Sequence, residues 1–321
     1  MTSLIEQAAQ RLEQLRKAGV TLAEAQTAAA PAVPATSAMR EPGAPDGRTA
    51  AAAQAAVEAV QAVASAPAVI SRQVQLNLDD LAASGVVTPN SPRSQAADQY
   101  RVIKRPLIGN AKGRGASILK HGNLIMVTSA LAGEGKSFTS LNLAMSIAAE
   151  LDSTVMLVDA DVARPSLLRM LKLPPAPGLL DVLKGNADMS SVLLRTNIEK
   201  LTFLPSGTPH PRATELLASD AMRRLLDEMA ERYPDRIIIF DSPPLLLTTE
   251  ARVLASQVGQ VVVVVHAEKT LRADVQRALA TIDSCPVRLM LLNMTETRSA
   301  GYGDGYGYGY GYGELADGPA S

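Results

Sequence analysis

The sequence predicts an α/β protein built on a doubly wound, mostly parallel sheet. Three observations lead there. Six short, nearly continuous apolar runs recur from residue 123 onward: NLIMVTS (123–129), TVMLVDA (154–160), KLTFLPS (200–206), DRIIIFD (235–241), QVVVVVH (260–266) and VRLMLLN (287–293). Such runs suit parallel strands covered by helices on both faces. Stretches of helical period, ten residues or longer, separate most of them, notably 136–151, 212–232 and 270–284. Finally, three of the runs lead into glycine-rich or acidic segments, at the strand ends where doubly wound sheets hold ligands.

From the N-terminus, residues 3–18 alternate apolar and charged positions with helical period (Leu4, Ile5, Ala8, Leu12, Leu15) as far as Gly19. This predicts an amphipathic helix over 1–19, packing on its own domain or docking a partner. Half of residues 21–70 are Ala or Pro, too few large side chains for a core. The stretch 20–75 is therefore expected to be a linker, with transient helix around 50–64. Order returns near VQLNLDDLAASGVVTPNSP and becomes a helix in SQAADQYRVIKRPLIGNA, so 76–112 forms an adaptor segment. The apolar runs and their helices delimit a domain over 113–298. The remaining residues, 299–321, contain GYGDGYGYGYGYG, with five of the chain's seven tyrosines: Tyr302, Tyr306, Tyr308, Tyr310 and Tyr312. Glycine at nearly every second position makes ordering costly, so these hydroxyls are expected to be reachable from solvent.

Lys plus Arg (31) nearly cancels Asp plus Glu (32), which gives no sign of a nucleic-acid partner. One cysteine, Cys285, excludes an intrachain disulfide and suits a reducing compartment. Three scattered histidines, His121, His210 and His266, have no metal-ligand spacing. The first residues lack a signal-peptide core, and the longest apolar runs are strand-sized. A cytoplasmic protein is expected.

The strongest chemical signal is SALAGEGKS, residues 129–137, which follows an apolar strand and opens a helix. That context is the one a phosphate-binding loop requires. Gly133 and Gly135 let backbone N–H groups turn toward phosphate oxygens at a helix N-terminus. The run Ala132, Gly133, Glu134, Gly135, Lys136, Ser137 and Phe138 is the expected nucleotide cradle. Lys136 would reach the β- and γ-phosphates, and Ser137 would ligate Mg²⁺. Ala130 replaces the usual first glycine. VDADVARP places Asp159 and Asp161 after the second run, and IIIFDSPP places Asp241 after the fourth. Carboxylates there can organise a Mg²⁺ shell or accept a proton, although an aspartate in such a place also serves as a helix cap. Three acids beside one phosphate loop favour a single site for ATP and Mg²⁺.

GEGKS, VDADVARP and IIIFDSPP together resemble the three Walker-type motifs of the bacterial protein-tyrosine kinases that govern exopolysaccharide synthesis, with a P-loop NTPase-like fold. The tyrosine-rich C-terminus resembles that family's autophosphorylated cluster. DQYRVIKRPL is similar to the version found at exosortase-linked (PEP-CTERM) loci, where the kinase is separate from its membrane activator. The resemblance covers about 76–313. It implies catalytic roles for Lys136, Asp159, Asp161 and Asp241, with Asp159 near the attacking hydroxyl and Ser137, Asp161 and Asp241 around the metal. It further implies that Asn293 contacts adenine, and that the five tail tyrosines accept phosphate. Asp98, Arg101 and Lys104 would take part in a ring-like homo-oligomer. The implied partners are a separate membrane chain-length-determinant protein, which recruits the kinase to the inner membrane, and a tyrosine phosphatase.

Two departures stand out. The family's oligomerisation helix carries acid–x–x–Arg–x–x–Arg, whereas Lys104 stands at the last position here; and Ala163 replaces the first of two arginines, leaving Arg164. Related partitioning ATPases carry a signature lysine where this chain has Leu131. A MinD/ParA-like ATPase switch and a non-catalytic nucleotide-binding adaptor of an export complex are the competing functions.

Overall fold

The computed structural model describes residues 72–89, 94–115 and 118–295. The N-terminal helix, nearly all of the Ala/Pro stretch and the tyrosine tail expected from the sequence lie outside these residues.

Each of the six apolar runs forms a strand, and two shorter strands join them. In chain order the elements are β1 (Gln73–Val74), α1 (Leu78–Ala83), α2 (Gln95–Ala111), β2 (Leu124–Ser129), α3 (Lys136–Ala148), β3 (Thr154–Asp159), α4 (Leu167–Met170), α5 (Leu179–Leu183) and α6 (Met189–Val192). They continue with β4 (Leu194–Thr196), β5 (Leu201–Leu204), α7 (Ala213–Leu217), α8 (Asp220–Arg232), β6 (Arg236–Asp241), α9 (Glu250–Ala255), β7 (Gln260–His266), α10 (Arg272–Ala280) and β8 (Val287–Asn293). The eight strands make one sheet in the order β1-β4-β5-β3-β6-β2-β7-β8. All neighbours are parallel except β4 and β5.

The central strands β2, β3 and β6 are buried along nearly their whole length. Met126, Met156, Ile238 and Val263 pack into one apolar layer; Ile125, Val127, Leu157 and Leu141 pack into the other. Helices cover both faces, as continuous apolar strands require, since each fully buried aliphatic side chain stabilises the fold by roughly 1.5–3 kcal/mol. β8 differs from expectation. It is an edge strand whose residues alternate in burial, with Met290 65% and Leu292 63% exposed. Side chains alternate between the two faces of a strand, and the face carrying Arg288, Met290 and Leu292 is exposed.

The helical stretch expected over 212–232 is two helices. Ser219 separates them, and its hydroxyl accepts the Met222 amide to start α8. A serine competes for backbone hydrogen bonds, which is why it favours such a cap over a helix interior. Gln73 and Val74, placed at the end of the expected linker, pair instead with Arg195 and Thr196 of β4. Asn197 then clasps Leu76, accepting its amide at 2.9 Å and donating to its carbonyl at 3.1 Å. Among the described residues, no helix is long and apolar enough to cross a membrane.

Candidate active site

Sheet register brings the sequence motifs together. Val127 of β2 lies beside Asp241 of β6, and Asp241 lies beside Asp159 of β3. The phosphate loop at the end of β2 and the two acidic motifs therefore meet at the carboxyl ends of three adjacent strands. Their mouth opens into a cleft of about 590 Å³, lined by Ala132, Gly133, Gly135, Lys136, Ser137, Phe138 and Asp161, with Arg164 among its further walls.

The loop takes its turn from glycine. Gly133 and Gly135 have φ of 84° and 89°, in the left-handed region where a side chain is strained. Gly135 caps the 13-residue helix α3, so the first amides of that helix face the cleft with its positive dipole end. Lys136 extends from the same turn. Its ammonium lies 2.7 Å from Asp161 Oδ2, 3.3 Å from Ser137 Oγ and 4.0 Å from Asp241 Oδ1. Asp161 Oδ1 also accepts the Arg164 amide at 3.1 Å.

Asp159 and Asp241 sit deeper, both 0% exposed. Asp159 Oδ2 accepts the Leu167 amide at 3.1 Å, so this carboxylate fastens the entry of α4 as well as ending β3. Burial, reinforced by the neighbouring Asp241 charge, pushes the Asp159 carboxyl up to about 7. Burial also raises Asp241, to about 6, against the pull of Lys136 and the Ser137 and Ser140 hydroxyls. Two inward oxygens, Asp159 Oδ1 and Asp241 Oδ2, have no hydrogen-bond partner among the described residues. Buried carboxylate oxygens are rarely left so, and a cation or its water shell would satisfy them. No cluster of three or more His, Cys, Asp or Glu able to hold a metal occurs among the described residues. Mg²⁺ is commonly held by one or two carboxylates together with substrate phosphates.

An AAA-domain family model matches residues 122–290, the whole span from the phosphate loop to β8. Tyrosine-protein kinase YwqD of Bacillus subtilis is 31% identical over 205 residues, which cover 64% of this chain and 83% of that protein. This chain belongs to the bacterial tyrosine-protein kinases. Tyrosine-protein kinase ptk of Acinetobacter johnsonii is 34% identical over 181 residues, and there the match takes up only 24% of the longer relative. Among solved structures, the chimerical protein CapA2B2 superposes with a TM-score of 0.55 at 26% identity, covering 69% of this chain and 93% of that one. The P-loop fold of this kinase carries nucleotide binding with it.

Not all the expected site residues gather at the cleft. Asn293, at the end of β8, donates from Nδ2 to the Glu134 carbonyl at 3.0 Å and so braces the kinase's phosphate loop. A Cβ on Gly135 would stand 2.1 Å from that nitrogen, a second reason for glycine there. Lys104 is 4% exposed, and its ammonium donates to the Ser146 carbonyl at 2.5 Å and pairs with Glu150 at 2.8 Å, so within one chain it ties α2 to the end of α3. Asp98 and Arg101 pair with each other at 2.5 Å on the exposed side of α2. Several contributors carry no local signal: the Arg164 and Leu167 amides, the Ser140 hydroxyl near Asp241, and Thr270, whose hydroxyl donates to Glu134. Thr270 is 136 residues from its partner, and only the fold brings them together.

Proposed function

We propose that this kinase is an ATP-dependent autokinase acting on its own C-terminal tyrosine cluster, in trans between subunits, and that it regulates exopolysaccharide polymerisation or export. The observation that supports it most is the meeting of Lys136, Asp161 and Asp241 with the phosphate loop on one chain whose tail offers Tyr302, Tyr306, Tyr308, Tyr310 and Tyr312. In the transfer, a tyrosine oxygen bonds to the γ-phosphorus as the bond from that phosphorus to the β–γ bridging oxygen breaks. ADP leaves with the electron pair, and the phenolic proton passes to a carboxylate.

A tyrosine hydroxyl has a pKa of about 10, so it needs a positioned acceptor near neutral pH. Asp159 suits that role, its affinity for a proton being raised to about 7. Lys136 and the loop amides would stabilise charge on the transferring group, and Ser137, Asp161 and Asp241 would hold Mg²⁺. That ion, when bound, would supply neutralisation of the negative charge on the nucleotide phosphates. Asn293 would lie near adenine. Leu131, where partitioning ATPases have a lysine, packs its side chain against the core, which favours the kinase over an ATPase switch.

The N-terminal helix (1–19) and the linker, as far as the start of β1 at Gln73, are proposed to tether the kinase to a separate membrane chain-length-determinant protein of an exosortase-type locus. Residues 76–112 would serve ring assembly through Asp98 and Arg101, ahead of the kinase domain (113–298). The tail (299–321) would be reset by a tyrosine phosphatase. Mass spectrometry of residues 299–321 after incubation with ATP and Mg²⁺ tests the central claim. Phosphotyrosine is expected in the wild type and not in Lys136→Met; a tail that stays unmodified with the membrane partner present refutes it.

A further inference from the structure

The phosphate loop is anchored by residues that do not line its cleft. Glu134, the loop's acidic residue, is 3% exposed and turns its carboxylate inward. Oε2 accepts the Leu131 amide at 2.6 Å, and Oε1 accepts the hydroxyl of Thr270, between β7 and α10. The Glu134 carbonyl accepts Asn293 Nδ2, and Ser129 Oγ donates to the Leu131 carbonyl at 2.6 Å. One side chain thus joins the start of the loop, its middle and a distant connection.

A buried carboxylate next to a phosphate-binding loop is unfavourable in itself, because it repels the anion the loop would bind. Burying it therefore requires compensating interactions. Glu134 has both oxygens engaged, one by an amide that a glycine-rich loop would otherwise leave to water. Holding such a loop in one shape removes its ordering cost from ligand binding.

We propose that Glu134 and Thr270 are positioning residues that hold the phosphate loop in its nucleotide-accepting form, with Thr270 acting through the Glu134 carboxylate and the Leu131 amide. The proposal rests on the loop's being the nucleotide site.

The test uses the full chain and the variants Thr270→Val, Thr270→Ser, Glu134→Ala and the double variant Glu134→Ala/Thr270→Val. ADP affinity is measured by calorimetry, amide hydrogen exchange of peptide 130–137 without nucleotide, and unfolding temperature by circular dichroism. Valine keeps the shape of threonine and removes the hydroxyl. Thr270→Val is expected to weaken ADP binding about 5–20-fold and to speed loop exchange about 10-fold, as one charge-assisted bond is lost. Serine is expected to restore both, and unfolding temperature is expected to stay within about 3 °C of wild type. The double variant is expected to bind no more weakly than Glu134→Ala alone, since both changes break one connection. Unchanged loop exchange and affinity in Thr270→Val, or a serine variant that behaves like valine, overturns the proposal. If the wild type binds no ADP, the nucleotide site itself is wrong, and the exchange comparison still decides whether the loop is held.

Discussion

Replacing Lys136 by methionine removes a charge from the cleft and keeps the length of the side chain. Tyrosine phosphorylation is expected to fall at least about 10²-fold with the fold intact, because the change removes a charge at the cleft and no apolar side chain from the core. The loss also frees Asp161 from its 2.7 Å partner, so Mg²⁺ dependence is expected to change in the same variant. The acids separate by role: Asp161→Asn and Asp241→Asn are expected to raise the Mg²⁺ concentration needed for activity. Asp159→Asn is expected to lower turnover at saturating Mg²⁺. Steady-state kinetics across a Mg²⁺ series checks this, and interchanged effects would move the base to Asp161. pH gives a second test. The Asp159 carboxyl is raised to about 7 from an ordinary 3.8, so its protonated form is the one the fold favours. The associated stability is complete below the unfolded value and is lost as pH rises through about 7. Asp159→Asn, neutral throughout, is therefore expected to gain on wild type between pH 5 and pH 8, by on the order of 2–4 kcal/mol without Mg²⁺. Denaturant titration at the two pH values measures it; an unchanged difference would mean that Asp159 is already ionised at pH 5.

At the scale of the element, α2 is held to the body of the protein by Leu107, Tyr100 and the Lys104 ammonium. The bond from Lys104 holds the Glu150 carboxyl below its usual range, aided by the Coulomb attraction of the same lysine and opposed by partial burial. That contribution is present above the ordinary glutamate pKa of 4.5 and fades as pH falls through the lowered value. Lys104→Ala is expected to cost roughly 1–3 kcal/mol at pH 7 and less at pH 3, through a lost buried charged hydrogen bond. Arg101→Ala, on the exposed side of the same helix, is expected to leave stability within about 0.5 kcal/mol and to weaken assembly. Thermal melts and light scattering on both variants separate the two roles. Assembly lost in Lys104→Ala at unchanged stability would return that residue to the interface.

For the whole molecule, phosphorylation of the tail as proposed would change its charge. Residues 301–321 contain Asp304, Glu314 and Asp317 and no basic side chain. Each phosphotyrosine adds about −1.5 to −2 at neutral pH, so five add roughly −8 to −10. Several such tails gathered in one assembly repel one another, and added salt weakens the effect as the Debye length shrinks. Phosphorylation is therefore expected to dissociate the oligomer at low salt. Chromatography with light scattering compares dephosphorylated protein, ATP-treated protein and a variant with the five tyrosines changed to phenylalanine. Equal size in the last two, at low salt and with the membrane partner present, excludes release by charge. A chain lacking residues 1–70 is expected to remain soluble and to bind ATP, since the described strands and helices begin at Gln73.

The local sequence determined the strands, the phosphate loop and the three acids, because each is written within a few consecutive residues. A parallel strand buried on both faces has a continuous apolar run, and a phosphate loop needs glycine and lysine at fixed spacing. The same sequence could not decide what depends on distant partners. Whether VRLMLLN is covered on both faces or open on one depends on what packs against it, and whether it is an edge strand depends on which strands lie beside it. Two-residue β1 and three-residue β4 are too short for any periodicity, and only their pairing makes them strands. Lys104 has the charge of an interface residue in the chain, and the packing of α2 on α3 turns it inward to Ser146 and Glu150. The proton affinities of Asp159 and Asp241 arise from burial side by side, a consequence of sheet register that neither motif contains. Residue type and spacing fix which chemistry is available; tertiary structure decides desolvation and the identity of each partner, since both come from residues far apart in the chain.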